Sequence, residues 1–242
     1  MQRSDSDISN GGSAARPDIY RFIHKALRAC MADTLQRAGN ADGADDAEVA
    51  AMLGQVRELL HFCALHLKKE NAFIHPAMEA RRPGSATHAS AEHEHHAWAI
   101  DKLEHLAAEV ESARGLEREE ALLRLYRYLG IFIADNLTHM NVEETDNNAV
   151  LWATHSDAEL HAIHHAIVAS SSPEEKALAM RWMLPAVNHG ERVILLAEMR
   201  AGMPPMAFDG VLAIACERLS GGDYAKLASA LGIGADAEKL AA

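Results

Sequence analysis

Three stretches of this sequence set a histidine and a glutamate four residues apart: His66 with Glu70, Glu92 with His96, and His139 with Glu143. A fourth stretch, Phe22-Ile23-His24-Lys25, carries a single histidine, His24. On a helix, a spacing of four puts both side chains on one face, one turn apart, so both reach one centre. Imidazole nitrogen and carboxylate oxygen together suit iron or manganese, with zinc a poorer fit to so large a set. One zinc needs only four ligands. Seven convergent donors therefore point to two ions, with Glu70 and a glutamate of the last stretch as natural bridges. Any one such pair is usually a surface pair contributing a few tenths of a kcal/mol; the recurrence on successive stretches is what indicates metal. In the last stretch Glu143 is favoured over Glu144, because a spacing of five turns a side chain about 140° away from the histidine face.

Helices must position these groups. Apolar residues recur at helical spacing from Asp18 to about Gly39. After a Gly39–Gly43 loop, Asp45 and Glu48 resemble the start of a second helix that runs to about Arg81, where Pro83-Gly84 stops it. A third helix is expected from about Thr87 to Ser112, and a fourth from about Glu117 to Asn141 or a little beyond. Amphipathic helices joined by short loops pack as antiparallel neighbours. The His/Glu pairs lie on or beside the apolar stripes, where burying them without a cation would be costly. Beyond residue 150, the N-cap signals Ser156/Glu159, Ser172/Glu175 and Asn188/Glu191, together with Pro204-Pro205 and Gly221-Gly222-Asp223, predict four or five short helices.

Other chemistries fit less well. The zinc-protease pattern HExxH is absent, since His93-Glu94 is followed by His95-His96-Ala97. Ferritin-like sites need two ExxH motifs, and Glu92–His95 is a single one. Cys63, one turn before His66, reads as a small core residue. His161 and His165 are four apart but read as part of a solvated face, whereas His75, His88, His93 and His95 are candidates to support ligating histidines from behind.

Taken together, His24, His66-x-x-x-Glu70, His96, and His139 with Glu143-Glu144 resemble the hemerythrin-like (HHE cation-binding) family over roughly residues 18–150. The resemblance implies an all-α, up-down-up-down four-helix bundle around a non-haem di-iron centre, carboxylate- and oxo/hydroxo-bridged. Its ligands would be His24, His66, Glu70, Glu92, His96, His139 and Glu143, with Glu144 as the alternative to Glu143. It also implies a small diatomic ligand (dioxygen or nitric oxide), iron sensing, or peroxide. Two positions depart from the family's oxygen carriers: Glu92 replaces the first histidine of HxxxH, and His139-x-x-x-Glu143 replaces HxxxxD. The added carboxylate favours ferric iron and weakens the case for simple reversible oxygen carriage. A di-iron oxidase or peroxidase-type enzyme is one alternative, and a metal-free helical scaffold for a protein partner is another.

Composition bounds the rest. The 242 residues hold 23 Lys+Arg against 35 Asp+Glu, a formal charge of −12, which disfavours nucleic acid and anionic membranes as partners. The three cysteines form no CxxC or disulfide framework, so a reducing, cytoplasmic setting is expected. No apolar run approaches the roughly 20 residues of a membrane span, and the polar start has no signal-peptide core. The expected organisation is a disordered tail at 1–16, the metal-bearing bundle at 17–150, and a helical extension at 151–242 that is a candidate lid or protein-docking surface.

Overall fold

The computed structural model describes residues 16–233, so the polar start expected to be disordered lies, apart from residue 16, outside the described residues. Four long helices form the bundle: α1 (Arg21–Asn40), α2 (Asp46–Lys69), α4 (Thr87–Ser112) and α5 (Leu116–Val142). The chain enters α1 through Asp18, whose Oδ1 accepts from the backbone N–H of Tyr20 and Arg21, so the helix begins three residues later than the periodicity suggests. Asp45 caps α2 by accepting from the N–H of Ala47 and Glu48.

Each helix buries one stripe. On α1 it is Tyr20 at its entry, then His24, Leu27, Met31, Thr34 and Ala38. On α4 it is Ala89, His93, His96, Ile100, Leu103, Ala107 and Val110, an alternation of four and three. That alternation is the left-handed bundle seam. Leu27, Met31 and Ala38 of α1 and Ile100, Leu103, Ala107 and Val110 of α4 form one core with Val56, Leu59 and Leu60 of α2 and Leu125, Leu129 and Phe132 of α5.

The second bundle helix reaches Arg81 as expected, though not as one regular helix, and the fourth runs past its expected end. Glu70–Ile74 and Glu143–Asn147 are π-helical turns, continued by the short helices α3 (His75–Arg81) and α6 (Asn148–Thr154). Pro76 follows directly on the first π turn. A proline cannot donate to the carbonyl four residues back and crowds it, and a widened turn relieves both problems. Gly84, at φ +86°, then turns the chain towards α4.

All three expected capping boxes form, opening α7 (Asp157–Ala169), α8 (Pro173–Ala186) and α9 (His189–Gly202). α10 (Pro205–Arg218) and α11 (Gly221–Ala230) complete the extension. α8 has two apolar faces. Leu178 and Trp182 join the bundle core, while Met180 and Leu184 pack with Leu196 of α9, Phe208 and Val211 of α10, and Leu227 of α11. A third cluster of Tyr20, Ile74, Met78, Ala86, Leu151 and Leu160 closes one end of the bundle. Among the described residues no helix is long and apolar enough to cross a membrane.

Candidate metal centre

The stripes converge at the end of the bundle where the π turns begin. Glu70 is the first residue of one π turn and Glu143 the first of the other. Both carboxylates are almost fully buried. Around them the structure places two groups of donor atoms: His24, His66, Glu70 and Glu143, and Glu70, His93, His139 and Glu143.

Glu70 and Glu143 belong to both groups, one oxygen to each. On the first side, His66 Nε2 lies 3.2 Å from Glu70 Oε1 and His24 Nε2 lies 3.4 Å from Glu143 Oε2. On the second, His93 Nε2 lies 3.4 Å from Glu70 Oε2 and His139 Nε2 lies 3.4 Å from Glu143 Oε1. The two rings of each side face one another through Nε2, at 3.2 Å for His24 and His66 and 3.0 Å for His93 and His139. Two nitrogens each about 2.1 Å from one ion, at a right angle, stand about 3.0 Å apart.

The tautomers follow from what lies behind the rings. His24 donates from Nδ1 to Glu144 Oε1 at 3.0 Å, and Arg28 grips both oxygens of that carboxylate at 2.6 and 3.0 Å. His139 donates from Nδ1 to Glu92 Oε2 at 2.9 Å, and His93 from Nδ1 to Asn71 Oδ1 at 2.8 Å. These acceptors carry no proton to give, so a neutral ring holds its proton on Nδ1 and aims the Nε2 lone pair inward. Lone pairs facing at 3 Å repel unless a proton or a metal cation lies between them.

Protonation shows the same demand. Burial disfavours a charged His24, yet Glu143, Glu144 and Glu70 outweigh it and push the ring up to about 10. Burial likewise opposes the charged form of His139, and Glu143 and Glu92 still raise it to about 9. His66 is held well below its ordinary value by burial and by the charge on His24. Burial and the neighbouring Glu143 push Glu70 up to about 8, while the rings of His139, His24 and His93 overcome burial and hold Glu143 well below the usual carboxylate range. In the protein alone, protonated imidazoles thus supply the positive charge that the carboxylates require. All four oxygens of Glu70 and Glu143 are nonetheless buried without a hydrogen-bond partner, a costly state for a carboxylate that metal ions would relieve.

Of the residues singled out from sequence, the structure brings together His24, His66, Glu70, His139 and Glu143. Glu92 and His96 stand apart from both groups. Glu92 is partly exposed and backs His139, with His88 Nε2 3.5 Å from its other oxygen. His96 is buried edge-on to His139, the ring centres 4.8 Å apart, and its Nδ1 has no partner. Glu144 backs His24 from behind. His93, expected only as a supporting residue, occupies the position assigned to the third helix. The signal for it was in the stripe of α4: counting back from Val110 through Ala107, Leu103 and Ile100 lands on His96, His93 and Ala89, and misses Glu92. Of the other supporting candidates, His75 stacks on His93 at 4.7 Å and His95 stacks on Trp98 at the surface. His161 and His165 are exposed and belong to neither donor group. Cys63 is buried in the core.

Two neighbours had no sequence signal. Tyr20 is fully buried with its ring centre 5.1 Å from that of His24. Burial and the charges of Glu70 and Glu143 raise its phenol well above its ordinary value, so Oη keeps its proton. Asn147, in the second π turn, donates to that oxygen at 3.4 Å. On the opposite side, a groove of about 540 Å³ between α2 and α4 runs in from solvent along Ala64, Leu67, Asn71, Ala97 and Ile100 and reaches His93.

In comparison with known proteins, the model of the hemerythrin HHE cation-binding domain matches residues 17–151. No curated protein and no solved structure matches the chain.

Proposed function

The chain belongs to the hemerythrin HHE cation-binding family, and on that premise we propose that it holds two iron ions and uses them to bind or sense dioxygen or nitric oxide. One observation carries the reading: Glu70 and Glu143 each direct one oxygen at the His24/His66 pair and the other at the His93/His139 pair. Each ion would then have two nitrogens and two carboxylate oxygens from the protein, fewer than iron accommodates. When bound, the irons supply redox-active positions open to a small ligand. The protein's part is to fix the rings by their Nδ1 bonds, to keep bulk water off the carboxylates, and to admit a small molecule along the α2/α4 groove. Oxygen-rich ligation from two glutamates suits iron, with manganese next and zinc less so. The three cysteines are all free, which fits the proposed reducing, cytoplasmic setting.

Tyr20 favours a second reading, a di-iron oxidase or peroxidase-type enzyme. It holds a proton at Oη beside the cluster, where substrate reduction would require one, whereas simple gas binding would not.

Anaerobic loading with iron(II), metal analysis and absorption spectra before and after addition of oxygen or nitric oxide test both readings. Two irons per chain and a stoichiometric spectral change on gas addition support binding or sensing. Continuous peroxide consumption, lost in Tyr20→Phe with iron content unchanged, supports the enzyme. Iron well below two per chain overturns both.

A further inference from the structure

The family match ends at residue 151, yet the described chain continues through five more helices, and two of them reach the helix that carries His24: α8 packs on it, and α9 grips it through Glu191. On α1, Arg21, His24, Lys25 and Arg28 fall at i, i+3, i+4 and i+7, so three cationic side chains share a face with a histidine that points at the centre. These cations are neutralised from two different parts of the fold. Arg28 is held by Glu144 of the second π turn. Arg21 and Lys25 are both held by Glu191 of α9. Lys25 Nζ donates to both carboxylate oxygens at 2.7 Å, and Arg21 Nε to Oε1 at 2.9 Å.

Glu191 is an unusual partner for surface cations. It is only 5% exposed. Its Oε2 also accepts from the backbone N–H of Asn188 at 2.9 Å, closing the capping box that starts α9. One buried carboxylate therefore fixes the N-terminus of α9 and the entry turn of α1 together. Its burial makes the geometry rigid, and without it the bonds that hold α1 on either side of His24 to α9 would be lost. The extension also holds Lys69, beside the shared Glu70, through Glu175 and Ser170, but among the described residues no such link touches α4 or α5 beside His93 and His139.

We propose that Glu191 is a positioning residue for the ion held by His24 and His66, so that the extension beyond the family domain tunes one half of the metal pair and leaves the other half alone. The inference rests on the two-ion reading above. Removing the charge while keeping the shape, in Glu191→Gln, loosens the tie between α9 and α1 and with it the placement of His24. Glu191 acts one step further out than a residue bonded directly behind a ligand, so the dissociation constant of one ion rises by about tenfold at most, and that of the second stays unchanged.

The test is titration of the metal-free full chain with cobalt(II), a spectroscopic substitute for iron(II), followed by calorimetry and visible absorption. His24→Ala and His139→Ala assign each band to its pair. Glu191→Gln is expected to weaken the step that His24→Ala abolishes. Lys25→Met, which disrupts the same link from the other side, is expected to weaken the same step, and it keeps the test informative if Glu191→Gln folds poorly. Glu159→Gln is the control. Glu159 also ties the extension to the bundle, through Arg81 at 2.5 Å, but no ligand neighbours that link, so both binding steps should persist. Fewer than two ions in the unaltered protein overturns the two-ion reading itself. Two ions there, with both steps unmoved in Glu191→Gln and Lys25→Met, or moved equally by Glu159→Gln, overturns the role of Glu191 alone.

Discussion

His93 and His96 sit three residues apart on the same buried stripe of α4, and the centre distinguishes them sharply. His93 Nε2 is 3.0 Å from His139 Nε2 and 3.4 Å from Glu70 Oε2; His96 belongs to neither donor group. Replacing each by alanine should therefore separate binding from packing. At free iron(II) a thousandfold above the dissociation constant, each ion stabilises the folded chain by about 4.1 kcal/mol. For a chain of this size that corresponds to roughly 8–16 °C in Tm, at about 2–4 °C per kcal/mol. In His93→Ala one ion loses one of its four protein donors. A loss of affinity of about a hundredfold, the upper end for even an indirect partner, leaves that ion contributing about 1.4 kcal/mol at the same free metal. The metal-induced rise in Tm then shrinks by about 5–11 °C. His96→Ala removes a packed ring and lowers the Tm of the metal-free and loaded forms alike, so the difference between them is kept. The assay is thermal unfolding with and without anaerobic iron(II), accompanied by metal analysis. A full metal-induced rise in His93→Ala, with a diminished one in His96→Ala, would refute the assignment of α4 and return the ligand role to His96.

Glu70→Gln and Glu143→Gln, each altering a carboxylate common to both groups, should reduce uptake to one ion or fewer, whereas Glu144→Gln should retain two with the His24 side weakened; metal analysis after gel filtration distinguishes these outcomes. Trp182 of α8 packs in the bundle core and donates from Nε1 to Glu58 at 2.9 Å, so Trp182→Ala should cost about 3–5 kcal/mol. Bundle and extension should still unfold in one denaturant transition; two separate transitions in the unaltered protein would show that the halves fold independently. Arg81, together with the capping bonds at Ser156, holds Glu159 down to about 2 from an ordinary 4.5. A lowered folded-state value means the stabilisation is present above pH 4.5 and disappears as the pH falls through 2. The stability difference between the unaltered protein and Glu159→Gln should therefore be flat above about pH 5 and close progressively in acid; a difference that persists at pH 2 would show that it arises from packing instead.

Much of the fold was legible in the residues themselves. Helical periodicity and capping are local properties, so Thr87–Ser112 and the starts at Ser156, Ser172 and Asn188 appear where the sequence places them. The pairs His66/Glu70 and His139/Glu143 were legible for the same reason, since four residues along a helix fix two side chains relative to each other whatever the helix packs against. Glu70 and a glutamate of the fourth helix were also recognisable as the groups suited to bridge. Spacing could not decide the third helix, because Glu92-His93-Glu94-His95-His96 offers a donor in nearly every direction around its axis. Which of them enters the centre depends on how α4 is rolled against α2 and α5. That roll is set by burial of Ile100, Leu103, Ala107 and Val110 further along the helix, so the tertiary packing selected His93 and turned Glu92 outward to hold His139. The second π turn, the placement of Tyr20 and the grip of Glu191 on α1 likewise had no local signature. Each depends on contacts between segments distant along the chain, and only their packing against one another decides where those side chains lie.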